Sequence, residues 1–227
     1  MDSYNDPWDK IRWHNEERFS IDDEVEFHLV SWGSQKNIIE FGVYHGASLV
    51  LLDKIYTPES IIGIDKRREH PALSQYRKGP SAHSVIEPYC GVKQEHTDKV
   101  IQILESHFPT KNVDLIIDDY NHLYEPTKAA FLTSFPYLES GGIYIIEDWG
   151  WAHWPGEFQK KELFPGTPLS KLVFELLILQ IVIPNVIAKI ETDYNHVAIT
   201  KGEESSPNNR KLFELIKCKT SIHIEKQ

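Results

Sequence analysis

Cysteine is nearly missing from this chain of 227 residues, which has only Cys90 and Cys218. Two thiols cannot make a disulfide scaffold or a thiolate metal site, and they fit a reducing compartment. A membrane-length apolar run is missing too. The most apolar segment, 172–190, is broken by Glu175, Gln180, Pro184 and Asn185, short of the roughly 20 apolar residues a span needs. Met1 to Asp6 have neither the basic nor the apolar region of a signal peptide, so a cytoplasmic protein is expected. Positive charge is scarce, with 24 Lys and Arg against 34 Asp and Glu and a net charge of -10. Binding to nucleic acid through its phosphates is therefore disfavoured. Repeats and low-complexity tracts are lacking, and the length suits one domain with a substantial core.

What the chain has is two short apolar runs that each end in acid. Val113 to Ile117 leads into Asp118-Asp119-Tyr120-Asn121-His122, and Gly142 to Ile146 leads into Glu147-Asp148-Trp149. Runs of this kind suit parallel strands covered on both faces. The segment 122–138 has helical spacing through Leu123, Ala130, Phe131, Phe135 and Leu138, and Gly141-Gly142 is read as the turn back. A right-handed crossover sets the strands side by side, and ligands of such sheets bind beyond the strands' carboxyl ends. Asp118, Asp119, Glu147 and Asp148 then share one rim. Four carboxylates together repel one another and call for a cation. Magnesium, which takes oxygen ligands and keeps open positions for substrate, suits them. Asp119 and His122 are three apart, so both face one pocket if the first helical turn forms there, placing His122 beside the metal as a base.

A second constellation lies nearer the amino terminus. Asn37 to Phe41 reads as a strand, Gly42 to Gly46 as a tight turn, and Ala47 onward as a helix whose first N–H groups are open to a ligand. Ile61 to Ile64 forms another strand, ending in Asp65, where a carboxylate can accept from ribose hydroxyls. Glu40 stands where a dinucleotide fingerprint has its first glycine, and a strand-end carboxylate suits a cationic amine better than a pyrophosphate. NAD is disfavoured.

Elsewhere, Lys66 to Arg68 read as a solvated helix start, Val85 to Gly91 as an edge strand because of Pro88, and Asp98 to Phe108 as an amphipathic helix. Trp149, Trp151 and Trp154 form an apolar wall, a subunit contact or a core corner. His45 and His153 are read as structural. Pro168 to Ile183 is apolar on nearly every side, which suggests a deeply buried helix or an oligomer interface. Val186 to Glu191 and His196 to Thr200 are read as closing strands joined by a turn at 192–195, and Asn209 to Cys218 as a short helix.

Glu40-x-Gly42-x-x-x-Gly46, followed by Asp65, resembles the first motif of class I S-adenosylmethionine-dependent methyltransferases. With Asp118-Asp119-Tyr120-Asn121-His122 and Gly141 to Trp149, the chain resembles the macrocin and mycinamicin O-methyltransferase family, relatives of rhamnosyl O-methyltransferases and the cephalosporin hydroxylase group. The likeness runs over about residues 36–155 and more faintly to 200. It implies an α/β fold, Rossmann-like and doubly wound, with a mostly parallel seven-stranded sheet. Residues 36–227 would form the methyltransferase domain, preceded by a cap or substrate-wall segment at 1–35. The implied cofactors are S-adenosylmethionine and Mg2+. Glu40, Phe41, Gly42, Tyr44, Gly46, Ser48, Asp65, Gln94 and Asp118 are assigned to the adenosylmethionine; Asp119, Glu147 and Asp148 to the metal; and His122 to proton removal. The implied reaction methylates a hydroxyl of a small sugar-bearing or polyketide-like acceptor, with a homo-oligomer left open. An adenosylmethionine-binding accessory protein and a catechol-type O-methyltransferase are the alternatives.

Overall fold

The computed structural model describes residues 34–156 and 166–204. The segment expected at 1–35, apart from its last two residues, and the helix expected at 209–218 lie outside the described residues. Seven strands form one sheet: β1 (Asn37–Phe41), β2 (Ser60–Asp65), β3 (Val85–Cys90), β4 (Val113–Asp118), β5 (Leu138–Glu147), β6 (Ile187–Thr192) and β7 (His196–Lys201). Their order is β3-β2-β1-β4-β5-β7-β6. The first five strands in chain order run parallel, and β7 pairs antiparallel with both β5 and β6. This is the doubly wound α/β architecture expected.

Side-chain alternation divides the core between the two faces of the sheet. Ile39 and Phe41 of β1 and Ile116 of β4 point to one face. There they meet α3 (Thr97–His107), α4 (Tyr124–Ser134) and α5 (Ser170–Val182). Ile38, Leu115 and Ile117 point to the other, against α1 (Ala47–Tyr56) and α2 (Pro71–Lys78). With neither face wet, β1 and β4 are apolar almost without alternation. Pro88 lacks the N–H a central strand must donate, and β3 is accordingly an edge.

Several details differ from the sequence reading. Gly141-Gly142 is no turn between elements but an irregularity inside β5. Val113 pairs with Leu138 and Leu115 with Ile143, so the strand bulges where Gly141 takes φ 84. The helix expected over 122–138 begins only at Tyr124 and gives way to a 3-10 turn at Phe135–Tyr137, because Pro136 cannot supply an α-helical N–H. Buried on one face only, α5 leaves Phe174 and Ile181 at 62% and 81% exposed. No helix among the described residues is long and apolar enough to cross a membrane.

Candidate active site

β1 and β4 are neighbours, with Phe41 opposite Asp118, and the strand order reverses between them. The loops leaving such a switch point diverge and open a crevice. Here they first touch: the Asp119 amide donates to the Phe41 carbonyl at 2.9 Å. A Cβ at position 42 would collide with the Asp119 carbonyl, and Gly42 has φ +90, so glycine answers both demands. Gly46, at φ 85, then opens α1 with no side-chain cap.

Each residue assigned to adenosylmethionine can now be placed. Glu40, 1% exposed, has an Oε2 without a hydrogen-bond partner. Burial, and less so the charges of Glu147 and Asp65, push its carboxyl up to about 8 against the hydrogen bond from Ser48. Asp65 braces the glycine loop, accepting from the amides of Val43 and Tyr44 at 2.8 Å each and Arg67 at 2.6 Å. Tyr44 is exposed with φ 48, and the Arg67 guanidinium lies 5.2 Å from its ring centre. Lys66 stands 5.8 Å from the Tyr120 ring centre. These two cations pack on aromatic faces instead of simply extending into water. Phe41 departs from expectation: its side chain is fully buried in the core, since the residue preceding Gly42 is still in the strand and points inward. Gln94 is fully buried, its amide nitrogen donating to Thr127 Oγ1 at 3.3 Å. Its Oε1 has no partner. Asp118 accepts from the Tyr144 hydroxyl at 3.0 Å, and burial raises its carboxyl to about 7.

On the outer side of Asp118 the acids converge. Ligand atoms of Asp119, His122 and Asp148 all lie within 4.8 Å of one another, with His122 Nε2 at 3.4 Å from Asp119 Oδ1. The meeting of Asp119 and His122 does not come from a helical turn, because α4 starts two residues later. His122 instead takes φ 53, and the Asn121 side chain accepts from the Leu123 amide at 3.1 Å, fixing the loop. His122 Nδ1 lies 3.2 Å from the Glu147 carbonyl. A carbonyl only accepts, so Nδ1 carries the hydrogen in the neutral ring and the Nε2 lone pair faces Asp119. Two lone pairs aimed at one point want a cation between them.

Partial loss of water, then the charges of Glu147, Asp148, Glu40 and Asp118, hold the Asp119 carboxyl well above the carboxylate range. Its side chain keeps 44% of its surface open to solvent. Glu147 falls outside the group of converging ligand atoms. Burial lifts its carboxyl to about 7, offset by His196 and helped by Asp148. Two carboxylates and an imidazole fit a divalent cation such as magnesium or manganese.

Residues 39–149 match the family described as a methyltransferase domain. The chain is similar to L-olivosyl-oleandolide 3-O-methyltransferase of Streptomyces antibioticus, 26% identical over 160 residues, 67% of this chain and 36% of that protein. It is 42% identical over 110 residues to 8-demethyl-8-alpha-L-rhamnosyl tetracenomycin-C 2'-O-methyltransferase of Streptomyces olivaceus, 48% of this chain and 26% of that protein. In fold it resembles MycE methyltransferase from the mycinamycin biosynthetic pathway, in complex with Mg, SAH and mycinamycin VI. The TM-score is 0.59 at 24% identity, over 82% of this chain and 51% of that one. The chain thus spans about a quarter to a half of the length of these proteins.

Two further residues brace the site: Trp151, for which sequence reading left wall, subunit contact and core corner open, and His196, read only as the start of a closing strand. Trp151, 2% exposed, donates its indole N–H to the His122 carbonyl at 2.8 Å and its backbone N–H to the Asp148 carbonyl at 3.1 Å. Its place three residues after Asp148 was the one available signal. His196 stands opposite Glu147 in the β5–β7 register, and nothing in the sequence distinguishes it from any strand-opening residue.

Proposed function

We propose that this domain methylates a hydroxyl of a small, uncharged, sugar-bearing acceptor, using S-adenosylmethionine and a divalent cation, magnesium by preference. The carrying observation is the convergence of Asp119, His122 and Asp148 directly across the backbone contact at Gly42. The relatives' acceptors, olivosyl and rhamnosyl compounds by name, favour a sugar hydroxyl. The acids Glu40, Asp118, Asp119, Glu147 and Asp148 at one rim disfavour an anionic acceptor.

Bound adenosylmethionine supplies the electrophilic methyl group, and a cation held by Asp119 and Asp148, with Glu147 behind them, supplies Lewis acidity that makes the acceptor hydroxyl easier to deprotonate. The orphaned Oε2 of Glu40 suits the cofactor's ammonium, and the orphaned Oε1 of Gln94 suits the adenine amine. Asp65, with three acceptor positions taken by backbone amides, keeps one on Oδ1 for a ribose hydroxyl. His122, with Nε2 unprotonated, takes the acceptor proton as oxygen attacks the methyl carbon and the carbon–sulfur pair leaves with sulfur. A cytoplasmic setting follows from the same reading. The experiment is methyl transfer to a rhamnosylated acceptor with and without chelator; unchanged turnover after chelation, or in Asp119→Ala, would refute the metal role.

One observation favours a variation, in which His122 is itself a ligand, because its Nε2 belongs to the converging group. Calorimetric magnesium binding to His122→Ala separates the two: a base leaves metal affinity intact, and a ligand does not.

A further inference from the structure

We propose that Tyr194 and Trp154 form the wall on which the acceptor's sugar ring stacks. This deepens the methyl-transfer reading and rests on it for the placement of the hydroxyl. The rings of Trp154 and Tyr194 are stacked, 5.7 Å between centres and 26° between planes. Tyr194 is 68% exposed, at the tip of the turn between β6 and β7. Such turns favour Gly, Asn, Asp, Pro and Ser, and a tyrosine there contributes nothing the turn requires.

The turn is joined to the acidic rim. Trp149, directly after Asp148, donates its indole N–H to the Asp193 carbonyl at 3.0 Å. A Cβ built on Gly150 would lie 3.7 Å from the Tyr194 carbonyl and 3.8 Å from Trp154 Nε1. Asp193 in turn holds the tip, accepting from the amides of Asn195 at 2.8 Å and His196 at 2.6 Å. The aromatic pair is therefore fixed beside the residues proposed for metal binding before any acceptor arrives, which spares ordering cost on binding.

Sugar hydroxyls hydrogen-bond to water as readily as to protein, so they discriminate weakly on their own. A pyranose also presents a face of C–H groups, whose partial positive charge meets the negative face of an aromatic ring while water is displaced. A flat, braced, half-wet aromatic pair at the edge of an acidic rim suits that face. An open-chain polyol, which keeps those hydroxyls and adds more but has no rigid C–H face, does not fit it.

The test uses the full chain with magnesium and S-adenosylhomocysteine, so no methyl transfer is needed. Methyl α-L-rhamnopyranoside and its open-chain counterpart L-rhamnitol are titrated, with saturation transfer to ring C–H protons and tryptophan fluorescence as readouts. The expected result is binding of the pyranoside about tenfold tighter than rhamnitol, weakened about tenfold in Tyr194→Ala and in Trp154→Ala. Tyr194→Phe, which keeps the ring, should bind like the parent. S-adenosylhomocysteine affinity should be unchanged in Tyr194→Ala, whose exposed side chain the fold does not need. Equal binding of the two polyols, absence of pyranoside binding, or pyranoside binding indifferent to Tyr194→Ala would overturn the proposal, as would preferential binding of a catechol. A platform that fails this test leaves methyl transfer to another acceptor standing; failed methyl transfer with an intact platform condemns the chemistry instead.

Discussion

Glu40 ought to make the empty domain less stable in alkali, and Glu40→Gln should remove much of that loss. The side chain is 1% exposed, one carboxyl oxygen lacks a partner, and burial raises the group from 4.5 to about 8. A carboxyl whose folded pKa is raised stabilises the fold relative to its ionised form below the unfolded value, and that stability is lost as pH climbs through the folded value. A rise of this size corresponds to roughly 5 kcal/mol in full, of which about 4 kcal/mol falls between pH 5 and 9. For a chain of this length that amounts to a fall in Tm of about 10 °C. Asp118 and Glu147, both raised to about 7, add losses of the same sign at lower pH, so the contribution of Glu40 is cleanest above pH 7. Urea or thermal unfolding without cofactor or metal, from pH 5 to 9, should show the parent losing roughly 1 kcal/mol more than Glu40→Gln above pH 7 and levelling beyond pH 8. Parallel curves for the two proteins above pH 7 would mean that Glu40 ionises without penalty and that its burial has been misread.

Gly42→Ala should be among the most damaging single changes, because its Cβ would meet the Asp119 carbonyl and its φ of +90 is strained for alanine. A loss of about 3 kcal/mol or more by urea unfolding is expected, together with loss of S-adenosylhomocysteine binding. Asp148→Ala should weaken magnesium binding in calorimetry and abolish cation-stimulated turnover while leaving S-adenosylhomocysteine affinity within about threefold; full stimulation would remove Asp148 from the metal set. Gln94→Leu leaves Thr127 without its donor and the adenine amine without an acceptor. It should lower S-adenosylhomocysteine affinity about tenfold, and undiminished binding would place the adenine elsewhere. Trp151→Phe keeps the packing but leaves the His122 carbonyl unpaired, so kcat should drop more than the acceptor KM rises; a change confined to KM would contradict its hold on His122.

The strands were readable because burial on both faces leaves an unmistakable mark: beyond Asn37 and Asp114 at their amino ends, Asn37–Phe41 and Val113–Asp118 carry nothing polar except the acids at or near their carboxyl ends. The adjacency of Val113–Asp118 and the strand ending in Glu147 was readable too, from the helical connection between them. Pro88 announced an edge. What stayed hidden depends on backbone geometry that residue types do not determine. The three-residue spacing of Asp119 and His122 suggested a helical turn, yet a left-handed His122 brings them together by another path. Gly141-Gly142 looks like any turn, and only pairing with β4 shows it to be a bulge. Asp65 was legible as a candidate ligand acid but not as the brace of the glycine loop, because its partners there are backbone amides that every sequence possesses.

The acidic rim is expensive to hold together, and the expense is concentrated where ligand atoms converge. His122 and Asp148 take φ values of 53 and 50, conformations that cost non-glycine residues on the order of 1–3 kcal/mol each. Both could relax outward, since Asp148 is only half-buried and the loop around His122 borders solvent. One buried residue ties the two together: Trp151 hydrogen-bonds the carbonyls of both. An acidic cluster of purely structural origin would spread apart to relieve its repulsion, and no tryptophan would be needed to hold it closed. Strain, crowded charge and a common clamp make sense together if a cation completes the site, because the same arrangement that destabilises the empty rim prepays the ordering that binding would otherwise require.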